Sequence, residues 1–398
     1  MDSPNMVPAE TAGQRVETAL RVRRFVPNFP TLWPHMLLMP RPNVALPFPF
    51  AETSTRYYFL VRYGIYDIAR TFSLAGKEVL FPAYFHGVEL DALLTAGVRP
   101  RFYPVHRDLE VDVDEVARLI GPTTAAVYVI HYAGFSAPVK ALAALCRERG
   151  IRLIEDAALA LLSQVDDHPL GSFGDAGIFC LYKTIPTPSG GAVVLPSGWP
   201  ASVAEPRPFP AVRAAVRASN LILLNLEMRG VTGSRELRQI GRRLRRRRSA
   251  ESQHDALPGS TFDRSLIGLG VGPFARRIIR KQDYPAIIAR RRHNYLRLAE
   301  RLSSVLPPIS ADLPAGVCPL FYPFKTRHRE RLLRAVRTRG AEIGEFWPDQ
   351  HPTIPPGAFP EVDEIRKTAL WLPCHQDLND ESIDWLAGVV LQAMSQIE

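Results

Sequence analysis

The chain has 398 residues, 49 Lys+Arg against 40 Asp+Glu for a formal net charge of +9, and is 46% hydrophobic, 22% charged and 9% aromatic. These proportions exclude wholesale disorder, a fibrous repeat and a peptide-sized binding module, and at roughly 100–200 residues per domain the length suggests two to three domains. No stretch approaches the ~18 uninterrupted apolar residues of a membrane span; the longest candidate, Leu221 to Leu226, is short and carries Asn225.

The start, MDSPNMVPAETAGQRVE, is acidic and polar, without the basic opening and apolar core of a secretory signal, so a cytoplasmic location is expected. Cys146, Cys180, Cys318 and Cys374 are scattered, which points to reduced thiols and to neither a metal-ligand spacing nor a disulfide framework. Prolines cluster at 28–50, 196–210 and 348–360 and mark loops. Residues 1–50 read as an N-terminal extended segment.

From Tyr57 to about Leu195, short apolar runs alternate with helix-like stretches, the pattern of βαβ units around a largely parallel sheet. Strands are expected at 78–81, 99–104, 125–130, 151–155, 177–182 and 191–195, and helices at about 64–75, 86–96, 113–120, 137–149 and 211–228. Val113, Val116, Leu119 and Ile120, for instance, fall on one face of a 3.6-residue period. Beyond Gly230 come an Arg-dense segment to 248, a polar, Gly-rich stretch to 273 and a long basic helix through about Val305 that joins two domains. A smaller C-terminal domain follows, with a strand at 318–324, a helix at 328–339, a Pro-rich loop at 348–360 and a final helix from Asp380. The expected division is a large domain over 51–270, then a linking helix and small domain over 271–398.

Ile151-Arg-Leu-Ile-Glu-Asp156 ends an apolar strand in a carboxylate, at the edge where open parallel sheets bind ligands. By itself such an aspartate would as readily cap the next helix. Phe179-Cys-Leu-Tyr-Lys183 brings a lysine off another strand, followed by the glycine pair Gly190-Gly191. A lysine and an aspartate on neighbouring strand ends supply what pyridoxal phosphate needs: an amine to join its aldehyde and an anion to keep its pyridine nitrogen protonated. Arg62-Tyr63-Gly64, opening the first helix of the large domain, would cradle the phosphate at a helix N-terminus, with Arg62 adding charge.

These motifs resemble the DegT/DnrJ/EryC1/StrS family of fold-type-I, pyridoxal-phosphate-dependent aminotransferases, which act mainly on nucleotide-linked keto-sugars. The resemblance runs through Gly-Lys-Glu-Val-Leu-Phe-Pro82, Ile130-His131-Tyr-Ala-Gly134, Ile154-Glu-Asp156-Ala-Ala158, Gly171-Ser-Phe-Gly-Asp175 and Lys183 with Gly190-Gly191. It resumes at Ala289-Arg-Arg-Arg292, Gly340 to Pro348 and Leu372-Pro-Cys-His375. It implies a mostly parallel α/β sheet flanked by helices, a smaller C-terminal α+β domain, and a homodimer with sites at the subunit interface. Lys183 becomes the cofactor lysine and proton shuttle, and Asp156 the partner of the pyridine nitrogen, with Ala158 beside it. His86 takes the position of the ring stacked on the cofactor, His131 lies near it, and Trp347 and His351 fall on the substrate side. His375 matches a family position and reads as structural.

The chain departs from the family at Leu159, where a glutamine is usual, at Cys180, where a serine helps hold the phosphate, and at Arg62-Tyr63, where a small phosphate loop is usual. The loop whose asparagine reaches the neighbouring subunit has no clear counterpart, Asn220 and Asn225 being weak candidates. The implied activity is transfer of an amino group from an amino acid, glutamate above all, to a keto-sugar for polysaccharide, glycoconjugate or natural-product synthesis. The alternatives are a degenerate cofactor-binding protein with a regulatory or scaffold role, or an enzyme acting on a non-sugar substrate.

Six arginines occupy seven positions at 242–248. Such density attracts polyanions. Nucleic acid is disfavoured because aromatics are not interleaved, which leaves contact of Arg242 to Arg248 with an anionic membrane, or a solvated loop.

Overall fold

The computed structural model describes residues 25–38, 44–248 and 262–397. The chain first lays down β1 (Thr55–Tyr58), α1 (Val61–Thr71), β2 (Glu78–Pro82), α2 (Val88–Thr95), β3 (Arg99–Tyr103), α3 (Val113–Leu119), β4 (Thr124–Ile130), α4 (Val139–Arg149) and β5 (Arg152–Asp156). A two-strand hairpin follows, β6 (Gln164–Val165) and β7 (His168–Pro169), then β8 (Ala176–Cys180) and β9 (Gly191–Val194). Seven of these strands form one sheet in the order β1-β9-β8-β5-β4-β2-β3. Strands β3, β2, β4, β5 and β8 run parallel, whereas β9 is antiparallel to β8, and β1 to β9. Helices cover both faces, so β8 and β9 are buried along their whole length and read as continuous apolar runs.

Local chemistry sets the helix ends. Asp112 caps α3 by accepting from the backbone N–H of Asp114 at 2.7 Å, and α4 stops at Gly150, which is left-handed at φ 64°.

The second half contains α5 (Ala211–Met228), α6 (Ser234–Arg248), α7 (Pro273–Arg280), α8 (Tyr284–Leu302), β10 (Phe321–Lys325), α9 (Arg329–Thr338), β11 (Gly344–Glu345), α10 (Pro360–Thr368), β12 (Ala369–Pro373) and α11 (Asp380–Ser395). Strands β10, β12 and β11 form an antiparallel sheet in that order. Its residues alternate between two cores: Phe321, Ala369 and Trp371 join the core of the large sheet, while Tyr322, Leu370 and Leu372 pack with Leu298 and Leu302 of α8 and Leu386 and Val390 of α11.

Several features differ from the sequence expectation, which has no counterpart of β1, β6, β7 or β11 and sets the first helix at 64–75 where it runs Val61–Thr71. The long basic helix is two helices, because Asp283 caps α8 through the N–H of Ala286 at 3.0 Å and Pro285 at its first turn cannot continue the helix before it. Pro360, read as the end of a loop, is the first residue of α10, whose helix and following strand the proline clustering concealed. The helix expected from 86 starts at Val88, since Gly87 at φ 121° cannot belong to it. The backbone of 234–248 is helical; the expectations for 1–24 and 249–261 fall outside the described residues. Among the described residues no helix is long and apolar enough to cross a membrane.

Candidate active site

Strands β2, β5 and β8 run parallel, so the segments leaving their C-terminal ends meet at one edge of the sheet. His86 follows β2, Asp156 ends β5 and Lys183 follows β8. This is the edge at which open α/β sheets take ligands.

His86 lies between β2 and α2, and its position is fixed by Glu89, whose carboxylate accepts from the backbone N–H of His86 at 2.8 Å and of Gly87 at 3.2 Å. Burial, then the positive charges of Lys183 and Arg62, lowers the His86 pKa to about 4, so the ring is neutral at pH 7. Its Nδ1 is buried without a hydrogen-bond partner. Glu89 is itself buried, which raises its pKa against the opposing bonds from these N–H groups.

Asp156 is buried with one donor on each oxygen: the Tyr128 hydroxyl gives 2.6 Å to Oδ2 and the Ala158 N–H gives 2.8 Å to Oδ1. Burial first, and the neighbouring Glu89 charge second, raises its pKa to about 6. A carboxylate poised this way gains from a cation brought against it, as a protonated pyridine nitrogen would be.

Lys183 is partly buried, and its charge acts on Asp156, Glu89, His86 and Cys180. Its backbone is held from the second half of the chain. Arg291 of α8, 1% exposed, donates to the carbonyls of Lys183 at 3.3 Å, Thr184 at 3.4 Å, Leu320 at 3.0 Å and Pro319 at 3.2 Å, while Gln376 donates to Thr184 O at 2.9 Å. Cys180 is buried with the Tyr182 hydroxyl bonded to its thiol, and burial raises its pKa. It is a neutral neighbour.

Helix α1 begins after the extended residue Leu60 with no side-chain cap, and of its first amides that of Tyr63 donates to Leu60 O at 3.1 Å. Two glycines let it seat there. A Cβ on Gly191 would lie 2.4 Å from Val61 Cα, and one on Gly64 would lie 2.5 Å from Val193 Cγ2. Gly64 therefore serves helix-to-sheet packing from inside the first turn, and an anion would be met by the amides ahead of Tyr63. Arg62 is 8% exposed and acts electrostatically on His86 and Tyr182. Tyr63 is buried with its ring edge-on to Phe262 at 5.0 Å.

Trp347 also reaches this edge, 6.2 Å centroid to centroid from His86 and 5.3 Å from Tyr84. It sits at φ 50°, a strained conformation for a tryptophan. Arg366 of α10 secures it by donating to the carbonyls of Trp347 at 2.8 Å, Asp349 at 2.7 Å, Phe85 at 3.4 Å and Ala83 at 3.3 Å.

Other sequence candidates are engaged elsewhere. His131 is fully buried, with Nδ1 accepting from Ala137 N–H at 3.1 Å and Nε2 3.2 Å from Glu155, which leaves neither nitrogen for a ligand. His351 is 3% exposed, its nitrogens engaged by Asp91 at 3.1 Å and the Thr353 hydroxyl at 2.8 Å. His375 bonds Pro27 O at 3.0 Å and Asn225 bonds the Thr31 hydroxyl at 2.9 Å, both in the protein interior. Leu159 is buried in the core of the large sheet. Glu89, Tyr128, Arg291 and Arg366 were not singled out from the sequence. The signals were, for Arg291, its place in the Ala289-Arg-Arg-Arg292 motif and, for Glu89, an acidic residue in a first helical turn just beyond His86.

The sequence pattern of the DegT/DnrJ/EryC1/StrS aminotransferase family matches residues 68–205. A dTDP-4-dehydro-2,3,6-trideoxy-D-glucose 4-aminotransferase of Saccharopolyspora spinosa is 40% identical over 119 residues, 29% of this chain and 31% of that protein. The match thus spans about a third of the curated relative. The fold is shared with aminotransferase TlmJ of Streptoalloteichus hindustanus, at TM-score 0.61 and 24% identity over 86% of each chain. It is shared also with a putative sugar aminotransferase of Streptococcus pneumoniae solved in its PMP form, at TM-score 0.63 and 16% identity over the whole of both chains.

Proposed function

From the match of residues 68–205 to the sequence pattern of the DegT/DnrJ/EryC1/StrS aminotransferase family, we propose that this chain is a pyridoxal-phosphate-dependent aminotransferase of that family. It would move an amino group from an amino acid, glutamate first, to a nucleotide-linked keto-sugar in polysaccharide, glycoconjugate or natural-product biosynthesis. The observation that carries this reading is the meeting of His86, Asp156 and Lys183 at the ends of three parallel strands.

The residues suit the cofactor. Asp156 is a buried carboxylate with a raised pKa, His86 offers a neutral ring with an unpartnered nitrogen, and α1 presents uncapped amides with Arg62 beside them. In this assignment Asp156 holds a proton at the pyridine nitrogen, His86 packs on the ring, and α1 with Arg62, Tyr63 and Cys180 holds the phosphate. When bound, pyridoxal phosphate supplies an electrophilic aldehyde and a ring that takes up an electron pair from the substrate carbon. Lys183 Nζ removes the proton from the amine-bearing carbon and returns one at the other end of the transfer. Trp347, fixed by Arg366, bounds the space for the acceptor, and His351 steadies α2 through Asp91.

Residues 51–270 form the cofactor domain of this reading and 271–398 the linking helix and small domain, behind the extended segment 1–50. The enzyme works as a cytoplasmic homodimer, with Arg242 to Arg248 in contact with an anionic membrane. The test is visible absorption with added pyridoxal phosphate before and after borohydride, followed by peptide mapping. A bleachable band with the label on Lys183 is expected, together with turnover on a keto-sugar. Cofactor binding without turnover on any donor and acceptor pair would overturn the enzymatic assignment.

A further inference from the structure

The helical hairpin α5–α6 holds a charge that the rest of the chain does not share. Residues 211–248 contain eleven arginines against two glutamates, a net +9 equal to the formal charge of all 398 residues. Glu227 is partly spent inside the hairpin, pairing with Arg238 at 2.6 Å and Arg235 at 3.9 Å. Both helices also expose aliphatic side chains. On α5, Ala214, Ala218 and Asn225 are buried toward the body of the protein, whereas Val212 and Val216, one turn apart, are 78% and 46% exposed. On α6, Leu237 and Ile240 are 59% and 51% exposed, and Val231 in the connecting turn is 46% exposed. Aliphatic residues left in water beside dense arginine are the composition of a helix that lies in a membrane interface.

Arg217, Arg229 and Arg238 are held over the rings of Phe59, Trp33 and Phe25, and we propose that the α5–α6 hairpin docks the protein on an anionic phospholipid surface, the arginines of 242–248 meeting the headgroups and Val212, Val216, Leu237 and Ile240 entering the interfacial layer. This rests on the membrane contact assigned above to Arg242 to Arg248 and adds the apolar component and the second helix. Charge complementarity selects the occupant. A second copy of the chain would set one arginine-rich hairpin against another, a like-charge juxtaposition. A nucleic acid would be met by stacking aromatics, and the exposed side chains are aliphatic.

The full-length holoenzyme is floated with vesicles of phosphatidylcholine alone and of phosphatidylcholine with phosphatidylglycerol. Binding is expected only to the second, weakened by raised salt and, by on the order of 10³-fold, by R245Q/R246Q/R247Q/R248Q. L237S/I240S, at exposed positions outside the cofactor site, should weaken it by a similar order while leaving the cofactor absorption unchanged. Absence of binding to the anionic vesicles would overturn the membrane contact itself. Binding that L237S/I240S leaves unaltered would overturn the apolar insertion and leave the arginine contact standing. Retention on a DNA duplex, or self-association abolished by L237S/I240S, without vesicle binding, would replace the lipid surface by that partner.

Discussion

Asp156 carries two hydrogen bonds that favour its charged form inside a site whose burial opposes it, so small changes around it register as pH effects. Tyr128→Phe removes the bond to Oδ2. Since that bond lowers a pKa already raised to about 6, its loss moves the pKa further up, which should appear as an upward shift of the Asp156 carboxyl titration followed by NMR in the cofactor-free protein. An unmoved titration would mean that the Tyr128 hydroxyl does not hold the Asp156 carboxylate. Lys183→Ala should lower turnover by on the order of 10³-fold or more and abolish the borohydride-fixed label; a label kept on another lysine would remove Lys183 from its role. His86 titrates near 4 when folded against 6.5 unfolded, so the unfolded chain binds more protons between those values. The associated stability is complete above pH 6.5 and is lost as pH falls toward 4. His86→Phe should flatten that part of the pH dependence in urea melts, by up to roughly 3 kcal/mol. Lys183 and Asp156 were legible at this scale because their chemistry is intrinsic and they close apolar runs. Tyr128 and Glu89 were not, because what distinguishes them is a neighbour on another strand or an adjoining turn.

Two elements of the second half grip the first through buried arginines that meet carbonyl oxygens rather than carboxylates: α8 through Arg291 and α10 through Arg366. A guanidinium spreads five donors over a planar fork, whereas a lysine carries three on a single nitrogen. Arg366→Met leaves the carbonyls of Trp347 and Asp349 without this donor, and should cost about 3 kcal/mol in chemical unfolding. The strained loop at Trp347 is then free to relax, so KM for the acceptor should rise more than kcat falls, with cofactor affinity retained. Equal losses in all three would instead indicate general disruption. Sequence spacing located most strands and helices to within a few residues because period and length are local signals. It missed β1, β6, β7 and β11, which are four residues or fewer, and it missed α10 and β12 and joined α7 to α8, because proline breaks a helix from inside yet starts one from its first turn.

At the scale of the whole molecule, two cores meet through the small sheet, with Trp371 and Leu372 of one strand serving opposite sides. The site edge draws on both halves of the chain, through Lys183 and Asp156 on one side and Arg291, Trp347 and Arg366 on the other. If the protein is the homodimer proposed, light scattering should give about twice the 44.4 kDa chain mass, independent of salt. A monomer that still turns over would place the complete site within one chain.

The sequence by itself determined the α/β class, the order of the main-sheet strands from β2 to β9 with the helices between them, the cofactor lysine and aspartate as candidates, and the concentration of arginine at 242–248. These follow from periodicity, from residue chemistry and from where an apolar run ends. Only the tertiary structure decided that His131 and His351 are engaged elsewhere, that Gly64 is a packing residue, that Arg291 and Arg366 clamp the site, and that Leu237 and Ile240 face water. Each of those depends on contacts between residues far apart in the chain, and hydrogen bonding and burial across such distances leave no periodic trace in the order of the amino acids.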